Sequence, residues 1–220
     1  MIPSHKRILI NEGDSDMKIA KRITKWLIKK GAISRNDEEL YVFALCNTFL
    51  TLVPLLSVLA VAYLMNSILE GISLVIPFLI IRKFSGGFHF NSAVICITVS
   101  IFLLISLLFF SIKIALLPVF DAGILLSGLS LSRNSPIDSE ARMLDEEEKK
   151  HFKKATHIIS IIFVTLYLSL RILSILYTMP IIIRIARSLS TGMIFAALLQ
   201  IPVLIKNHKN DSNNMPKGSN

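Results

Sequence analysis

The chain has 220 residues, 53% of them hydrophobic and 18% charged, with a mean hydropathy of +0.63 and a formal net charge of +9. A bilayer core about 30 Å thick needs roughly 20 apolar residues in one helix. The chain supplies several such runs, which excludes a soluble enzyme and a single-anchor protein alike. In a membrane chain, Lys and Arg report topology before they report ligands, so nucleic acid is not an expected partner.

Residues 1–40 form a basic N-terminal segment with no signal-peptide pattern, because the first long apolar run begins only near Tyr41. Within it, Met17–Lys30 is amphipathic at helical spacing. Ile19, Ile23, Trp26 and Leu27 oppose Lys18, Lys21, Arg22, Lys25, Lys29 and Lys30, the pattern of a helix lying on an anionic inner leaflet. The plainer reading is a topology signal alone. Six apolar spans follow, at about 41–65, 68–81, 93–110, 112–131, 158–179 and 189–205. Backbone polar groups in lipid must be satisfied within the segment, so the expected fold is all-α: a polytopic membrane domain over 41–205. The second span is short unless it continues past Arg82. Breaks as brief as Asn66-Ser67 and Ser111 imply antiparallel hairpins. Residues 138–154, rich in Asp, Glu and Lys, read as a charged helix with Glu-to-Lys pairs four apart. Residues 206–220 read as a polar, disordered tail. Cys46 and Cys96 both lie in apolar surroundings, which gives no disulfide framework.

The distribution of Lys and Arg orients the spans. Twenty lie in the N-terminal segment, at Arg82 and Lys83, in 133–156 and in the tail; only Lys113, Arg184 and Arg187 fall on the opposite side, with Arg171 inside a span. Both termini and the loops 82–92 and 133–156 are therefore expected in the cytoplasm.

The stretch between the second and third spans reads Arg82-Lys83-Phe84-Ser85-Gly86-Gly87-Phe88-His89-Phe90-Asn91-Ser92-Ala93-Val94-Ile95-Cys96. Gly86-Gly87 ends one span and lets the chain turn. Asn91 or Ser92 suits the N-cap of the next, which puts Cys96 about one turn inside it. On one continuous helix, His89 and Cys96 would be separated by roughly 10 Å along the axis; a non-helical turn at 86–91 removes that obstacle. A thiol attacks as the thiolate, a form that an imidazolium or a helix N-terminus favours. Cys and His together are the minimal apparatus of a cysteine acyl transferase or peptidase. Spacing alone leaves the inert readings open: a wetted interfacial His89, a filler Cys96, a snorkelling Arg82, and turn or cap roles for Ser85, Asn91 and Ser92. Cys46, with no His in reach by sequence, reads as inert. No metal-ligand or cofactor pattern is present, and none is expected.

Arg82-x4-Gly87-x-His89-x6-Cys96, set between the second and third of six spans, resembles the AgrB family of quorum-sensing membrane endopeptidases. The resemblance runs from the basic N-terminus to about residue 205 and includes the segment Arg133-Asn134-Ser135-Pro136-Ile137, where family members often carry a basic residue in place of Ser135. It implies a cell-membrane cysteine peptidase acting on a small AgrD-like precursor at the cytoplasmic face. Cys96 is then the nucleophile and His89 the general base and acid. Arg82, Ser85, Gly86 and Gly87 support the turn or the substrate. The signal segment would remain as a thioester on Cys96 until a nucleophile within the peptide closes a thiolactone or lactone ring. The family also implies a homodimer. The rival class is a peptide exporter without chemistry. A lipid-modifying acyltransferase would also use Cys and His but gives no reason for the Arg/Gly spacing.

Two further charges fall inside spans. Asp121 and Arg171 lie at similar depth in the fourth and fifth, and the expectation is a structural ion pair, with a polar export path as the alternative.

Overall fold

The computed structural model describes residues 15–86, 92–114, 118–137 and 145–205. Among them there is no strand, and the chain forms seven principal helices: α1 (Ser15–Lys29), α2 (Glu38–Leu64), α3 (Ile68–Ser85), α4 (Ala93–Lys113), α5 (Pro118–Asn134), α6 (Glu146–Tyr177) and α7 (Pro180–Leu198). All-α is thus the fold class. Four helical segments, 35–64, 94–113, 146–177 and 180–205, are long and apolar enough to cross a membrane. The remaining two of the expected spans are α3 and α5. They have 18 and 17 residues and carry Glu70 and Asp121 in their first turns, and at 1.5 Å per residue each is about 26 Å long.

The helix ends follow local rules. Gly31, at φ 72°, closes α1: the Ala32 N–H reaches the Leu27 carbonyl at 3.0 Å and the Gly31 N–H reaches that of Ile28 at 2.9 Å. Asn66, at φ 53°, closes α2 the same way, with Ser67 N–H to the Ala62 carbonyl at 2.8 Å. The helix thus stops at the Asn66-Ser67 break expected between the first two spans. Pro54 lies inside α2, and the hydroxyls of Thr48, Thr51 and Ser57 each donate to the carbonyl four residues earlier, which leaves no polar group of theirs unsatisfied in lipid.

Several boundaries differ from expectation. The second span does continue past Arg82, to Ser85. The fourth does not begin at Ile112: α4 runs on to Lys113 and α5 opens at Pro118, whose missing N–H costs nothing in a first turn. Of the charged stretch 138–154, residues 146–154 are one helix with the fifth span, and 138–144 lie outside the described residues. Asp145 occupies the N-cap, its N–H donating to Glu148 Oε2 at 3.4 Å, and Lys149 pairs with Glu146 at 3.4 Å. Thirty-two residues make α6 about 48 Å long, more than a bilayer core, so a charged end must project from it. The last span opens at Pro180 rather than Leu189, which moves Arg184 and Arg187 from an expected loop into α7.

The described residues form two compact units. The first takes those of 1–60 and 89–105, the second those of 61–88 and 106–220. In the first, α1 turns Ala20 and Thr24 inward, both fully buried, and leaves Ile19 52% and Trp26 57% exposed beside its cationic arc. In the second, α7 is the central element, contacting α3, α5 and α6. It approaches α3 so closely at Gly192 that a Cβ there would meet the Leu74 carbonyl oxygen, the small-residue contact that lets membrane helices pack.

Candidate functional site

Of the candidate residues, Gly87 and His89 lie outside the described residues, as does Asn91. Cys96 is 6% exposed and stands one turn into α4, its N–H donating to the Ser92 carbonyl at 3.0 Å. Ser92 thereby holds the N-cap position expected of it or of Asn91. The flanking Val94 and Ile95 are about half exposed, so Cys96 faces inward where its neighbours face out. Cys46 and Cys96 are both free thiols.

Arg82 and Ser85 lie in the last turn of α3, and Gly86 caps it. The Arg82 guanidinium lies over the Phe78 ring at 5.8 Å, and Phe84 meets Phe152 of α6 edge-on at 5.9 Å. This brings the end of the second expected span against the charged end of α6. Ser85 is fully buried, and its carbonyl accepts the Ile137 N–H at 3.0 Å and Gln200 Nε2 at 3.2 Å. Those two donors satisfy a carbonyl that the end of a helix leaves without a partner. Gly86 has φ 73°, and a Cβ on it would stand 2.6 Å from the Ile137 carbonyl oxygen. Glycine is therefore required there twice, by backbone angle and by space. Ser135, 3% exposed, accepts Gln200 Nε2 at 2.8 Å. Its hydroxyl is committed to the interior at the position where a basic residue was the family pattern.

Several charged groups within the helices have partners on other helices. Asp121 takes Arg171 Nε at 3.2 Å, the expected ion pair, and also the Tyr167 hydroxyl at 2.5 Å. Two arrangements escaped sequence reasoning. Glu70, 2% exposed, has Arg184 Nη1 3.0 Å from its Oε1 but without hydrogen-bond alignment. Arg187, 5% exposed, donates to the carbonyls of Ile112 (3.1 Å) and Ile114, capping the end of α4. Gln200 was missed as well.

Four long apolar helices and charges paired between helices define a multi-pass membrane protein. The family model for accessory gene regulator B matches residues 20–204, most of the length, and the chain belongs to that family. Its members act in the agr quorum-sensing system with the AgrD propeptide. No curated protein and no solved structure matches the chain.

Proposed function

We propose that the chain is a membrane cysteine endopeptidase that cuts an AgrD-like precursor and passes its signal segment to ring closure. The observation that carries the reading is Cys96, turned inward one turn into α4 at the spacing from Arg82, Gly87 and His89 that the family motif has. Six helices cross the membrane, α2 to α7, with both termini and the loops 82–92 and 133–156 in the cytoplasm. The length of α3 supports the second crossing, since it extends through Arg82 to Ser85.

In the first step the Cys96 thiolate attacks the carbonyl at the C-terminal boundary of the signal segment. His89 takes the thiol proton and returns it to the leaving amine, so the C–N bond breaks as the C–S bond forms. In the second, a thiol of the precursor attacks the thioester; the ring closes and Cys96 regains its proton. Exchange of one thioester for another is nearly isoenergetic, whereas water would discard the activation, and a recessed thiol limits that loss. Arg82 contacts the acidic C-terminal region of the precursor, and Gly86, Gly87 and Ser85 shape the turn. The exposed Ile19 and Trp26 of α1, beside its Lys and Arg, rest on anionic lipid. Following the family, the working unit is a homodimer. A peptide exporter without chemistry would call on the charges inside the helices, but Asp121 with Arg171 and Glu70 with Arg184 already serve one another.

Co-expression with the precursor, followed by mass spectrometry, tests the reading. Cys96→Ala abolishes cleavage, His89→Ala is nearly as severe, and Cys46→Ala is near normal. The double mutant is scarcely worse than Cys96→Ala, because residues acting as one unit lose non-additively. Intact processing by Cys96→Ala would leave the exporter as the better account.

A further inference from the structure

Gln200 is fully buried in the turn that ends α7, and its own carbonyl accepts the N–H groups of Val203 and Leu204 at 3.1 and 3.0 Å. Its amide nitrogen spends both hydrogens on partners far away in sequence, the Ser85 carbonyl and the Ser135 hydroxyl. A carbonyl only accepts, so the amide orientation is determined: reversed, it would set Oε1 against the Ser85 oxygen. Oε1 is buried with no donor among the described residues. An acceptor left without a partner in the interior is unfavourable, and here it accompanies two donations that join three segments: the last turn of α3, residues 135–137 and the end of α7. The Ile137 N–H to the Ser85 carbonyl closes the same knot, and Gly86 lies flush against the Ile137 oxygen.

We infer that Gln200 is a positioning residue for the proposed reaction: its amide anchors the backbone at Ser85, four residues before His89, to the opening of the second cytoplasmic loop. The inference rests on the peptidase reading. His89 follows Ser85 by only four residues, so where that stretch begins is set by what holds Ser85. A misplacement of about 1 Å is enough to cost a reacting pair much of its rate.

The test uses the full-length protein in liposomes with a synthetic AgrD-type precursor, together with Gln200→Glu, Gln200→Leu and Ser135→Ala. Gln200→Glu keeps the shape and loses both donors; a carboxylic acid regains one only when protonated. At pH 8, Gln200→Glu and Gln200→Leu are expected to lower kcat about tenfold, the scale of a lost buried hydrogen bond, with KM within about twofold. Relative to the wild type at the same pH, Gln200→Glu should recover as pH falls to 5.5 and Gln200→Leu should not. Ser135→Ala, which leaves the Ser85 tie intact, should lose less. Amide hydrogen exchange at residues 85–92 should quicken in both Gln200 variants without any precursor present. Unchanged kcat in both, or a loss of the Glu variant that ignores pH, overturns the assignment. So does failure of both to accumulate in the membrane, which would make Gln200 a folding determinant. Cys96→Ala run in parallel separates the two ideas: if it still cleaves, the peptidase reading falls, and the exchange measurement judges the anchor alone.

Discussion

Arg184→Leu removes the guanidinium that stands 3.0 Å from Glu70, a side chain only 2% exposed, whereas Arg184 itself is 40% exposed. The two single deletions at this pair are therefore unequal. Stranding a buried charge costs about 3–5 kcal/mol. The low end applies, because Arg187 also lies within electrostatic reach of Glu70. For a chain of this size 1 kcal/mol moves the midpoint by about 2–4 °C, which gives a fall of about 6–12 °C. Glu70→Leu strands only Arg184, which is 40% exposed, and should cost less than Arg184→Leu. The double change should resemble Glu70→Leu alone, because no buried charge is left. The assay is the loss of the monodisperse size-exclusion peak of detergent-purified protein after stepwise heating. Equal shifts for the two single variants, or a double variant whose loss equals their total, would refute the argument.

At Asp121–Arg171, where the side chains are 34% and 28% exposed, a double-mutant cycle with Asp121→Asn and Arg171→Leu should give a coupling of about 0.6–1.7 kcal/mol. A double variant no better than the worse single would deny the contact. Gly192→Ala drives a methyl into the Leu74 carbonyl and to 3.2 Å from Pro77 Cγ; backbone cannot yield there, and a loss of about 1–3 kcal/mol in the same heating assay is expected. A single cysteine at position 138, on a background lacking Cys46 and Cys96, should resist an impermeant maleimide in intact cells, and ready labelling would invert the orientation. Ile19→Ser with Trp26→Ser should leave the protein inserted and lower processing; a normal rate would reduce α1 to a topology signal.

The helices were legible because each apolar run adds the contributions of about 20 residues, so one misread residue changes little. Their ends were not, because an end depends on which single partner waits for it. Arg184 and Arg187 read as an outer loop, since a charge is costly in lipid. The fold removes that cost with Glu70 for one and the last carbonyls of α4 for the other, and the apparent loop becomes the first turns of α7. Asp121 and Arg171 could be matched from sequence because both were placed well inside consecutive expected spans; α5 opens only at Pro118, which puts Asp121 in its first turn, yet the pair still meets. Glu70 and Arg184 could not, because both were placed at or beyond a span's end. The same division runs through the candidate site. Cys96 and the Ser85-Gly86 turn were visible through local chemistry: a cap, a thiol one turn further on, and glycines where a helix must stop. Gln200 gave no such signal. A lone glutamine at the end of an apolar run looks like any residue meeting the interface, and its partners lie 65 and 115 positions away. Ser135 is the one place where the two kinds of information met. Its departure from the basic residue of the family pattern looked like a gap in substrate contact, and in the fold it is an acceptor for Gln200, so the local anomaly was the trace of a distant bond.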